Sequence, residues 1–138
     1  MKVGEAIAAS GIDVREARLL LAEVCGFSQA SLAASPGQEI PFEVENAFFA
    51  FAERRKKGEP VAYILGRKEF YGLELSVNPS VLIPRPETEL LAELAWQFLS
   101  ALPGTPAALD YGTGTGCLAI SLAVKCPAAK ITALFVPK

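Results

Sequence analysis

The chain has 138 residues, 51% hydrophobic and 20% charged, a composition that belongs to globular proteins and excludes a disordered one. Its net charge is −2, with seven basic and eight acidic side chains in residues 1–58 and six and seven in residues 59–138. A nucleic-acid partner needs a concentrated positive face, so none is expected, and the absence of histidine removes the Ser-His-Asp and Cys-His nucleophile systems.

The start of the chain places Glu5 where a signal peptide needs apolar residues, and no uncharged stretch has the length and apolarity of a membrane helix. A cytoplasmic protein without membrane contact is expected. Asp13 can cap a helix whose Ala17, Leu20, Leu21 and Val24 fall on one face, and Gly26 follows as a stop. A shorter helix starts at Ser28. Pro41 fits the first helical position of the next segment, where Val44, Ala47, Phe48, Phe51 and Ala52 keep helical spacing. That helix runs into Arg54-Arg55-Lys56-Lys57 and ends at Gly58. The basic run is either a contact patch for an acidic partner or a solvated last turn that complements the helix dipole.

The texture changes at Glu59. Arg67 to Tyr71 and Leu73 to Val77 alternate as two short strands around Gly72. Asn78-Pro79 and Pro84-Arg85-Pro86 are loop chemistry. Pro86 then opens a helix through Ser100, with Glu87 and Glu89 in its first turn and Leu90, Leu91, Leu94, Ala95 and Phe98 expected to face a core. After the break at Pro103-Gly104-Thr105-Pro106, residues 107–111 read as an apolar strand. Residues 112–116 form a glycine loop, residues 117–125 a helix and residues 130–136 a second strand. Such a β-loop-α-β unit makes its strands parallel, with a right-handed crossover. Cys25, Cys117 and Cys126 have no Cys-x-x-Cys spacing, so neither a disulfide framework nor a metal site is expected.

Glycines at a strand exit let the backbone turn sharply and approach a ligand without a Cβ in the way. No Gly-Lys-Ser or Gly-Lys-Thr closes this loop, which excludes a phosphate-binding P-loop. A dinucleotide fingerprint survives only if Gly114, Gly116 and Ala119 are taken as Gly-x-Gly-x-x-Ala, a register two residues late. A bare turn without a ligand is the plainest alternative, but three alternating glycines behind Asp110 are more than a turn requires.

Asp110-x-Gly112-x-Gly114-x-Gly116 resembles the first motif of the seven-strand S-adenosylmethionine-dependent methyltransferases. Upstream, residues 62–72 (Ala-Tyr-Ile-Leu-Gly-Arg-Lys-Glu-Phe-Tyr-Gly) and 82–89 (Leu-Ile-Pro-Arg-Pro-Glu-Thr-Glu) resemble the HemK/PrmC family. Those enzymes methylate the glutamine of the Gly-Gly-Gln loop of peptide-chain release factors. The resemblance implies an α/β fold: a helical substrate-recruiting domain at 1–58, a β-hairpin linker at 59–84 and an incomplete Rossmann-like methyltransferase domain at 85–138. It implies S-adenosylmethionine as methyl donor, held by Asp110, Gly112, Thr113, Gly114, Thr115 and Gly116. Arg85 and Glu87 match a family motif beside the donor; they either orient groups around its methionine part or simply form a helix-entry loop.

Two departures bear on activity. The family's Asn-Pro-Pro-Tyr substrate motif is absent, for the asparagines are Asn46 and Asn78, and Asn78-Pro79-Ser80-Val81 precedes the donor loop and reads as a turn. The acid that binds the donor's ribose would fall at or near Phe135, yet no Asp or Glu occurs after Asp110. A dinucleotide enzyme needs a similar acid about 20 residues on, so the gap counts against that reading too. The chain is therefore expected to be the amino-terminal part of such a methyltransferase, with no catalytic residue assigned and no activity alone. The alternatives are a non-catalytic interaction fragment whose helical domain binds a protein and, more distantly, a dinucleotide-binding oxidoreductase.

Overall fold

In the computed structural model, which describes residues 1–137, five helices make up a first unit, Met1–Leu65. They are α1 (Val3–Ala9), α2 (Val14–Cys25), α3 (Gln29–Ala34), α4 (Phe42–Lys56) and α5 (Val61–Leu65). Local chemistry sets several of their ends. The Asp13 carboxylate accepts from the N–H groups of Arg15 and Glu16, and Gly26 closes α2 at φ +69°. The Ser28 hydroxyl accepts from the Ser31 N–H at the start of α3. These side chains satisfy donors that a first turn leaves open. Pro41 stands one residue earlier than expected, as the cap before Phe42.

The core of this unit gathers Leu20 and Leu21 of α2, Phe48 of α4, Val3 of α1 and Ile64 of α5. Neither α1 nor α5 was legible in the sequence. The first turn of α1 is closed from a distance, since the N–H groups of Val3 and Gly4 donate to the carbonyls of Gln38 and Pro36 at 2.9 and 2.8 Å. Because α5 contributes Ile64 to the core, the helical unit reaches Leu65, past the expected boundary at Gly58. Most of the basic run is paired internally. Arg54 binds Glu59 (2.8 and 2.6 Å), Arg55 binds Glu16 of α2 (2.7 and 3.1 Å) and Lys56 binds Glu53 (2.7 Å). The hydrogen bonds from Arg54 hold the Glu59 carboxyl below its ordinary pKa. The Arg55 pair ties α4 to α2, which accounts for this residue without an outside partner.

The second unit begins at Gly66. Strands β1 (Arg67–Phe70) and β2 (Leu73–Ser76) pair antiparallel from Arg67↔Ser76 to Phe70↔Leu73. Their turn, Tyr71-Gly72, has both φ angles positive, +51° and +76°, the type I′ pattern that matches the twist of a hairpin. Helix α6 (Pro86–Ala101) follows, then strand β3 (Ala107–Tyr111), helix α7 (Cys117–Lys125) and strand β4 (Lys130–Leu134). β3 and β4 run parallel from Ala107↔Lys130 to Tyr111↔Leu134, and β4 stops two residues short of the expected Val136. The fold is α/β, with helices and two small sheets of two strands each among the described residues.

Two small cores hold this unit. One joins Phe70 and Leu75 of the hairpin to Ala92 and Cys117, so the hairpin belongs to this unit rather than forming a separate linker. The other joins Leu99, Leu122 and Cys126, with Ala108 and Ile131 of the sheet packed on it. Helix α6 corrects an expectation. It buries Ala92 and Leu99, while Leu90, Leu91, Leu94 and Phe98 stay 53–66% exposed. Periodicity identifies an apolar stripe, but burial also requires a neighbour to cover it. The sheet shows the same thing: Leu109 and Tyr111, opposite its covered face, are 62% and 71% exposed. Parallel sheets are ordinarily covered on both faces.

Candidate functional site

The loop between β3 and α7 is shaped by Gly112, Gly114 and Gly116, at φ +74°, +59° and +82°. A Cβ disfavours that region, so the sequence meets the geometry with the residue that has none. The three glycines differ in their surroundings. A Cβ on Gly116 would lie 3.2 Å from Ile120 Cδ1, so this glycine lets the helix pack on its own loop. A Cβ on Gly112 or Gly114 would meet nothing within 4 Å, so these two border open space that a ligand can enter. The end of β4 pins the loop, because the Leu134 carbonyl accepts from the N–H groups of Gly112 (2.8 Å) and Thr113 (3.1 Å).

Asp110 organises the inner side. Its Oδ2 accepts from Thr113 Oγ1 at 2.7 Å and from the Ala119 N–H at 3.2 Å. The cap residue of α7, Gly116, has no side chain to satisfy the first turn, and the carboxylate on β3 supplies an acceptor for it. Asp110 thus joins strand, loop and helix. Replacing it by alanine is expected to destabilise the second unit by about 1–2 kcal/mol, as loss of a helix cap does. Asp110→Asn, which retains an acceptor oxygen, should cost less. Urea denaturation followed by the emission of Trp96, which lies in this unit, measures both; equal stabilities for the Ala variant and the parent would refute the capping role. Thr115 Oγ1 is buried without a hydrogen-bond partner among the described residues. A polar atom in that state carries an unmet desolvation cost, so the loop retains bonding capacity that the chain itself does not use.

The other expected site residues come from other segments, the entry to α6 and the end of β4. Arg85 is the cap residue of α6 and Glu87 lies in its first turn; both are exposed, and neither makes a side-chain hydrogen bond among the described residues. Phe135 follows directly on Leu134, the residue whose carbonyl holds the loop, and is 52% exposed. A cleft of about 450 Å³ runs along α6 and β3, lined by Leu91, Phe98, Leu109 and Tyr111 among others. It meets the glycine-loop set only through Asp110, and its apolar walls reflect the uncovered stripe of α6 rather than the mouth of the loop.

A second polar cluster was not foreseen. The Tyr71 hydroxyl donates to Glu93 Oε2, and Trp96 Nε1 donates to both the Tyr71 hydroxyl (2.9 Å) and Glu93 Oε2 (3.2 Å). Gln97 Nε2 donates to Glu93 Oε1 at 2.7 Å, and the Tyr71 N–H donates to Glu89 Oε1 at 3.0 Å. These bonds, that of Tyr71 foremost, hold the Glu93 carboxyl below its ordinary pKa, while bonding to Glu93 pushes the Tyr71 phenol up. The spacing of Glu89, Glu93, Trp96 and Gln97 on one helix face was the available signal. Its partner on the hairpin could not be read from α6 alone.

Comparison with known proteins matches residues 5–66 to the PrmC N-terminal domain. A protein named release factor glutamine methyltransferase from Burkholderia pseudomallei is 42% identical over 132 residues, covering 94% of this chain and 45% of the relative. Proteins of the same name from Neisseria gonorrhoeae and Coxiella burnetii are each 46% identical, over 86% and 81% of this chain and 42% and 40% of their own lengths. The chain thus spans less than half the length of these relatives. The match to the first unit and the similarity that continues through the glycine loop carry one conclusion: residues 5–66 form a PrmC N-terminal domain, and the chain is similar to part of the proteins named release factor glutamine methyltransferase.

Proposed function

We propose that the chain is the amino-terminal part of an S-adenosylmethionine-dependent methyltransferase acting on the side-chain amide nitrogen of the Gly-Gly-Gln glutamine in release factors. The helical unit recruits the substrate, and β3, α7 and β4 begin a seven-strand Rossmann-like sheet. Such a partner places the reaction in the cytoplasm. The observation that carries the reading is the loop of Asp110 to Gly116, with two glycines facing open space and its backbone tied to β4. The names of the relatives support the same substrate.

The donor supplies an electrophilic methyl group on a sulfonium. Gly112 and Gly114 leave room for it to approach the backbone, Asp110 keeps the loop in register with α7, and Thr113 and Thr115 border the same turn. An amide nitrogen is a weak nucleophile because its lone pair is delocalised, so acceleration rests on alignment and oriented dipoles rather than a strong base. A chain without histidine can therefore belong to such an enzyme. The family's Asn-Pro-Pro-Tyr substrate motif does not occur in this sequence. Asn78 Oδ1 accepts from the Ser80 N–H at 2.9 Å, which makes Asn78 a turn residue.

Calorimetric titration with S-adenosylmethionine, with a nicotinamide dinucleotide as control, tests the donor assignment; heat from the dinucleotide alone would overturn it. Incubation with labelled donor and a purified release factor tests the rest. No methylation is expected from the 138-residue chain, and turnover would show that the glutamine is aligned by residues already present.

A further inference from the structure

We infer that Tyr71, Glu93 and Trp96 are positioning residues for the glycine loop: they lock the hairpin turn onto α6, and the hairpin in turn holds α7 near both of its ends. The role of the loop in holding the donor rests on the function proposed above.

The first observation is a mismatch between residue and backbone. A two-residue turn with both φ angles positive favours Asn, Asp or Gly at its first position. Here that position holds Tyr71, the one non-glycine residue with positive φ among the described residues. A bulky side chain in this region persists where surrounding contacts over-determine it. Those contacts are present. The Tyr71 N–H is bound by Glu89, its hydroxyl is shared by Glu93 and Trp96, and the Lys125 ammonium lies 5.3 Å from its ring centroid.

The second observation is where these contacts lead. Lys125 is the last residue of α7, and Cys117 is the first. Cys117 shares a buried cluster with Phe70 and Leu75, with Tyr71 and Leu118 packed against it. The hairpin therefore reaches α7 at its start through the cluster of Phe70 and at its end through Tyr71. Gly116 directly precedes Cys117, and the Ala119 N–H in the same first turn is the one bound by Asp110. A shift of the hairpin is thus passed to the helix that carries the loop. Apolar packing by Phe70 and Leu75 would suffice to bury the hairpin. The directional bonds of Tyr71 add a fixed orientation, since an N–H and an O–H pointing to two carboxylates one turn apart on α6 permit one placement of the turn.

The test uses Tyr71→Phe, which keeps ring and turn and removes one hydroxyl, with Glu93→Gln as a second, milder variant. In the unliganded chain, amide exchange at Gly112 and Ala119 is expected to rise at least about fivefold in Tyr71→Phe and in the same direction in Glu93→Gln, with Leu20 and Leu21 of α2 unchanged. Trp96 is the chain's one tryptophan, and it bonds directly to the cluster. Adding S-adenosylmethionine should shift its emission in the parent, and this response should be lost in Tyr71→Phe, with donor affinity at least about threefold weaker. Unchanged exchange at Gly112 and Ala119, or a Trp96 response that survives intact in Tyr71→Phe, overturns the inference. If the parent binds no donor while the exchange difference is present, the positioning role stands and the donor assignment falls.

Discussion

Gly114→Val is expected to weaken S-adenosylmethionine binding at least about a hundredfold, close to 2.7 kcal/mol. Two effects act together. At φ +59° any L-residue is strained, at about 1–2 kcal/mol, and a β-branched one is the least tolerant. The side chain also projects into space where, its two chain neighbours aside, no atom of the described residues lies within 4 Å of the Cβ, the space proposed for the donor. Gly104→Val separates the two. Gly104 has φ +73° and equally open surroundings, yet lies in the connection between α6 and β3. Both variants should lose similar stability in urea, and only Gly114→Val should lose donor binding. Calorimetry on the pair decides it; equal affinities would remove the donor from this loop.

Phe135→Asp should act in the opposite direction. Phe135 follows the residue whose carbonyl receives the loop amides of Gly112 and Thr113, so a carboxylate there would lie beside the loop. Charge-assisted hydrogen bonds to ribose hydroxyls contribute roughly 1.5–3 kcal/mol each before ordering costs. Phenylalanine accepts none. In a fusion of this chain to the remainder of the Burkholderia pseudomallei relative, the substitution should tighten donor binding at least about tenfold, or ~1.4 kcal/mol. In the 138-residue chain the same change should do little, because the sheet has two strands and Leu109 and Tyr111 are uncovered. Titration of all four proteins reads the result, and an unchanged affinity in the fusion would move the ribose contact away from Phe135.

By itself the sequence determined the features whose causes lie within a few residues. Asp13 and Ser28 cap the helices that follow them, Gly26 ends α2, and Gly72 sits in the hairpin turn, because a cap or turn is decided by one side chain and its nearest backbone. The strand, glycine loop, helix and strand of residues 107–134 were legible from local patterns too. Tertiary structure alone decided the rest. The first turn of α1 is closed by carbonyls of Pro36 and Gln38, and α5 is held through Ile64 in a core drawn from the four other helices of the unit and from Ile40. The apolar stripe of α6 is visible in its spacing, but its exposure depends on which elements lie beside it. Asp110 stands out in the sequence at the head of the glycine motif, while its bond from the Ala119 N–H exists only once β3 and α7 are packed. Tyr71 looked like one more strand residue, and its bonds to Glu89 and Glu93 join a turn to a helix 18 and 22 residues away. A hydrogen bond or contact across such separations depends on where the intervening chain returns, and no local pattern records that.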